Sequence, residues 1–120
     1  MAQYFLGVTS ATQGDNNSAE KYFKAVASNG NKELASIAKL ALATLYGNTN
    51  RTKDAVALYQ ELINKPTTSV SKVTAQLQLA ELYQTTNQPL DAKRLYEQIK
   101  KDNPTTEAGQ LATQKLAELK

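Results

Sequence analysis

The chain repeats itself. Leu6, Leu42 and Leu79 recur at intervals of 36 and 37 residues, each followed by a small residue: Gly7, Ala43 and Ala80. Further along each copy, Ala19, Ala55 and Ala92 keep the same frame, as do Phe23, Tyr59 and Tyr96. A fourth, partial copy shows in Leu116, Ala117 and Leu119. A unit of this length cannot bury its own apolar face. It must stack on its neighbours, so the repeat dictates an array of small supersecondary units.

Each copy reads as two helices. Leu34, Ala38, Ala41, Leu42 and Leu45 recur at three- and four-residue steps, with Asn31 as a good N-cap before them. Gly47-Asn48-Thr49-Asn50 is expected to break that helix. Ala55, Leu58, Tyr59 and Leu62 make the next stripe, which must end before Pro66. In the third copy Thr68 or Ser69 is the expected cap of a helix through Ala75, Leu79, Leu82 and Tyr83. Pro89 then opens a helix carrying Ala92, Leu95, Tyr96 and Ile99, at the position where its missing N–H costs nothing. Period-two runs of β-branched residues are absent. The reading is all-α with seven helices in a single domain, 1–120. It has hairpins at about 2–31, 32–67 and 68–104 and a solvating helix over about 105–120, with Gln110, Gln114, Lys115, Glu118 and Lys120 toward water.

Composition removes most chemistry. The chain has no Cys and no His, hence no thiol nucleophile, no thiolate or imidazole metal ligand and no imidazole base. The acidic residues fall on expected helix surfaces or in first turns, where the helix dipole favours them. No glycine-rich phosphate loop and no calcium-loop pattern occurs. No catalytic, cofactor or metal site is expected. Fourteen basic residues against eleven acidic leave a net charge of only +3, and just two of the cations are Arg, so nucleic acid is not an expected partner. Lys93-Arg94 and Lys100-Lys101 share part of one face, diluted by Glu97 and Asp102. No stretch has the apolar length to span a membrane, and no membrane contact by this segment is expected.

These residues resemble the tetratricopeptide repeat: Leu-(Gly/Ala)-x-x-Tyr in a first helix, Ala-x-x-x-(Phe/Tyr) in a second, and a closing Pro. The resemblance covers essentially the whole chain. It implies a right-handed superhelical stack of helical hairpins whose first helices line a concave groove, and it implies a non-catalytic role in protein–protein interaction.

The departures are informative. Gln3, Lys39 and Gln76 replace the large aromatic usual three residues before the Leu, and apolar character moves one step on, to Tyr4, Leu40 and Leu77. Asn50 and Asn87 stand where Gly14 keeps the usual glycine, and Asn tolerates the left-handed conformation. The period exceeds the family's common length, with the extra residues at 29–32 and 66–71. Longer links of this kind are similar to those of bacterial cell-envelope members, which favours periplasm or envelope over cytoplasm.

Carried over position by position, the resemblance makes Tyr4, Val8, Leu40, Thr44, Asn48, Leu77, Glu81 and Gln84 the groove residues. Tyr4, Leu40 and Leu77 read equally as core displaced by the missing aromatic, whereas Thr44, Asn48, Glu81 and Gln84 are expected to be exposed. Members that clamp a peptide's terminal carboxylate use groove cations. The matching positions here include Tyr4, Val8, Thr44, Thr74 and Gln78, none of them charged. A partner helix or extended segment of another protein or peptide is the expected occupant. The first copy has few residues ahead of Leu6, so the chain reads as a piece of a longer protein. Tyr4-Phe5-Leu6 make a poor cap for an array, and self-association through this N-terminal helix, as a structural module, is the competing expectation.

Overall fold

The computed structural model describes residues 2–119. Met1 and Lys120 lie outside, including the expectation that Lys120 faces water. Seven helices follow in order: α1 (Ala2–Thr12), α2 (Asn16–Ala27), α3 (Lys32–Asn48), α4 (Thr52–Asn64), α5 (Lys72–Thr85), α6 (Pro89–Asp102) and α7 (Glu107–Glu118). Among the described residues there is no strand, and no helix is long and apolar enough to cross a membrane. The chain is all-α and built from helical hairpins.

The helix ends follow from local chemistry. The Asn31 carboxamide oxygen accepts from the backbone N–H groups of Glu33 and Leu34, and the Asp15 carboxylate accepts from Ser18 N. Thr106 caps α7 through Gly109 N. Pro89 opens α6. All three hairpin turns use one device. Gly14, Asn50 and Asn87 take φ of 82°, 65° and 63°. The N–H of the next residue then reaches back to the helix: Asp15 to Ser10 O, Arg51 to Tyr46 O and Gln88 to Tyr83 O, at 2.8–2.9 Å. This is the Schellman arrangement, which satisfies carbonyls left open by the helix end.

Two expectations about ends are corrected. Gly47 and Asn48 do not break α3, which runs to Asn48. Burial of neighbouring Leu45 and Tyr46 offsets the cost of about 1 kcal/mol for a helical glycine. Nor do Thr68 and Ser69 cap α5, which starts only at Lys72. Ser69 instead donates its N–H to the Glu33 carboxylate at 2.7 Å.

The chain forms two compact units, residues 1–72 and 73–120. In the first, α1 packs on α2, α2 on α3, and α3 on α4. Ala19, Ala38, Ala43 and Ala55 are fully buried there, with Phe23, Leu42, Tyr59 and Leu62 beside them in the core. In the second, Ala80, Ala92, Tyr96, Ile99 and Ala112 form the core, and Leu77, Leu95 and Leu116 pack against it. Gly109 belongs to that unit's tightest approach. A methyl group there would run into the main-chain carbonyl of Asn103, which cannot move without shifting the end of α6.

One polar cluster ties the first hairpin to the second. Glu20 of α2 holds Lys24 at 2.7 Å and Arg51 at 2.7 Å, and accepts from the Tyr46 hydroxyl at 3.1 Å. The Arg51 guanidinium lies 4.0 Å from the centre of the Tyr46 ring and also reaches Asp54 at 3.0 Å. The Lys24 ammonium, then the Arg51 and Tyr46 donors, outweigh burial and hold the Glu20 carboxyl at about 2 rather than 4.5.

Two predictions follow from these contacts. Gly109→Ala should destabilise by about 1–3 kcal/mol, read as a lowered midpoint in urea, because the overlap is with backbone. A folded-state pKa below the unfolded one adds stability above the unfolded value, and this is lost as pH falls through the folded value. Glu20→Gln should therefore be less stable than the parent by about 1–3 kcal/mol at neutral pH. That gap should close between about pH 4.5 and pH 2. A gap that persists at pH 2 would assign the loss to packing rather than charge.

Candidate functional site

In the first unit, the inner sides of α1 and α3 face each other across the start of α2. Tyr4, Val8, Leu40, Thr44 and Asn48 line one open cavity of about 460 Å³ between them. Its floor is apolar. Phe23 and Leu45 are buried there, and the Tyr4 ring sits 5.8 Å from the Phe23 ring in a tilted arrangement. Phe23 reaches this place because residue 7 is glycine: a Cβ there would lie 2.7 Å from the ring.

The rim is polar and uncharged. The hydroxyls of Thr12, Thr44 and Thr49 turn back onto the carbonyls of Val8, Leu40 and Leu45. Thr44 Oγ1 also lies 3.3 Å from the Tyr59 hydroxyl. Each threonine oxygen keeps acceptor capacity toward the cavity. The carboxamides of Asn16 and Asn48 make no hydrogen bond to the described residues, so they are open to an incoming group. No Asp, Glu, Lys or Arg lines the cavity.

Tyr4 and Leu40 are half-buried, Val8 is exposed, and Thr44 and Asn48 are exposed. The remaining three expected groove residues stand in the second unit and do not line this cavity. Leu77 is half-buried against that unit's core. Glu81 is exposed. Gln84 differs from expectation: it is half-buried, because its side-chain oxygen accepts the Tyr96 hydroxyl at 3.2 Å.

The cavity also takes in residues outside the expected set. Ile37 lies three residues before Leu40 on α3, and Ala41 lies four after Ile37 and three before Thr44. Helical periodicity could have found both. Asn16 and Thr49 come from turn-proximal positions, and only the folded hairpin brings them to the rim. The Glu20 cluster does not line the cavity; it ties α2 to Tyr46 near the end of α3 and to Arg51 ahead of α4.

No curated protein matches the chain. The sequence profile described as the tetratricopeptide repeat matches residues 38–68 and 74–106. These spans take in most of the second and third copies, and α1 and α2 build the same hairpin ahead of them. With the matched spans exceeding half its length and the hairpins closed by one turn device throughout, the chain belongs to the tetratricopeptide repeat family.

Proposed function

We propose that this chain is a non-catalytic interaction scaffold whose groove takes an uncharged, apolar stretch of a partner helix or extended segment. Tetratricopeptide repeats generally mediate protein–protein interaction. The observation that carries the finer reading is the cavity lined by Tyr4, Val8, Leu40, Thr44 and Asn48, with a buried aromatic floor and no charge. A carboxylate or ammonium entering it would lose water and gain no ionic partner, whereas an aliphatic or aromatic side chain would gain burial. The rim carboxamides and hydroxyls then supply direction. On this reading Leu77, Glu81 and Gln84 are the corresponding candidates within the second unit, taken by itself. The longer links at 29–32 and 66–71 support a place in the bacterial cell envelope.

Selection of binders from a random peptide library tests the groove. The expected winners are low in charge and carry an apolar anchor, and Thr44→Arg should weaken them at least about tenfold, or 1.4 kcal/mol. Winners dominated by acidic or basic residues, or indifferent to Thr44→Arg, would refute the assignment.

A second reading has its own observation. Leu42 is 4% exposed because α2 covers that side of α3, whereas its counterpart Leu6 is 47% exposed and Phe5 58%. Self-association through this face of α1 is therefore the alternative role. Sedimentation equilibrium should then show a dimer that Phe5→Ser/Leu6→Ser converts to monomer without loss of helix. A parent that stays monomeric at high concentration removes this reading.

A further inference from the structure

A second cavity, of about 450 Å³, lies in the first unit where the two longer links meet. Asn29 and Lys32 come from one link, and Lys65, Pro66 and Thr67 from the end of α4 and the start of the other. Residues that lengthen the repeat, Asn29, Lys32, Pro66 and Thr67, thus form part of this cavity, and side chains of α2, α3 and α4 form the rest. They are held firmly. Ser69 N bonds the Glu33 carboxylate at 2.7 Å, and the hydroxyls of Thr67 and Ser36 lie 2.8 Å apart. Ser36 is only 4% exposed and donates onward to Glu33 O, while Thr67 accepts from Val70 N. This chain of bonds pins the second link onto α3.

The charge on the walls is one-sided. Lys32, Lys39 and Lys65 line the cavity against a single carboxylate, Glu61. Glu61 is taken by Lys39 at 2.7 Å. Lys32 and Lys65 make no ion pair among the described residues, and Ala35 and Leu62 give the walls an apolar part. Nothing in the fold requires a cation at Lys32. It sits in the first turn of α3, where the helix dipole disfavours positive charge.

We propose that this cavity is a second binding site, separate from the groove, for a glutamate or aspartate side chain of an acidic protein segment. Lys32 and Lys65 supply the charge, and the apolar wall takes a neighbouring aliphatic residue. A phosphoryl group fits less well. The N–H groups of Glu33 and Leu34, which would cradle a phosphate at the start of α3, are already bonded to Asn31. A dianion would also meet Glu61 at close range.

The test uses the intact chain and a short capped peptide carrying two glutamates around a leucine, beside its glutamine counterpart. The acidic peptide should shift the backbone amide resonances of residues 32–36 and 65–67, and its affinity should fall as salt rises. Lys32→Gln/Lys65→Gln should weaken it at least about tenfold with an unchanged thermal melt. Lys21→Gln/Lys53→Gln, which removes the same charge elsewhere, should change it less than about threefold. Thr44→Arg should leave it intact, so the groove reading and this one fail separately. Equal binding of the glutamine peptide, equal loss in both lysine pairs, or no shift at millimolar peptide would each overturn the proposal. Tighter binding of inorganic phosphate than of the acidic peptide would overturn the choice of carboxylate.

Discussion

Everything in this molecule depends on helices coming close enough to exclude water with small side chains. Ala19, Ala55 and Ala92 are completely buried, one in the second helix of each hairpin, and Ala43 and Ala80 are as buried in first helices. Methyl-sized residues let the helix axes approach, and the larger Phe23, Tyr59 and Tyr96, one turn on, then fill what the curvature of the helices leaves open. Gly7 is the extreme case, since the Phe23 ring occupies the place of its side chain. The cavity floor is a consequence: the ring that packs the first hairpin also forms part of the buried base of the cavity.

Close packing within a hairpin does not fix one hairpin on the next. In the first unit that task falls to polar contacts over the apolar seam. Glu20 of α2 reaches Tyr46 of α3 and Arg51 ahead of α4, while Lys39–Glu61 and Glu33–Ser69 brace α3 against α4 and the link that follows it. Single exposed ion pairs are weak, but Glu20 collects three donors at one partly buried carboxylate, and a network of that kind holds a geometry that isolated pairs do not. The Glu20 contacts thus hold α2 on α3, and α1 packs on α2 in turn.

What the sequence made legible is what repeats or what is local. Seven helices, the Asn31 cap, Pro89 at a helix start and the left-handed Asn50 and Asn87 each need only a few neighbouring residues to specify them. Five of the eight groove positions share one cavity, and all five stand at four-residue steps on their own helices, Tyr4 and Val8 on α1 and Leu40, Thr44 and Asn48 on α3. What stayed hidden depends on partners far along the chain. Glu20 reads as an ordinary surface acid until α3 and Arg51 are placed beside it. Gly109 reads as a helix-weakening residue until the Asn103 carbonyl is found against it. Gln84 reads as exposed until Tyr96 turns its hydroxyl toward it. Ser69 reads as a cap until Glu33 claims its N–H.

Two cavities of different chemistry stand in the first unit. The groove is made from positions that recur in every copy, so its chemistry is limited to side chains that the hairpin geometry tolerates, and it is neutral. The cavity between the links combines link residues that lie outside the common frame, Asn29, Lys32, Pro66 and Thr67, with side chains of α2, α3 and α4. Charge has collected there instead. A partner that laid an apolar stretch in the groove and an acidic stretch against the links would join two modest contacts into one binding event, with the second made at high effective concentration. Specificity would then reside in the spacing of apolar and acidic residues along the partner, and the rigidity of α3, which contributes to both cavities, would turn that spacing into a requirement.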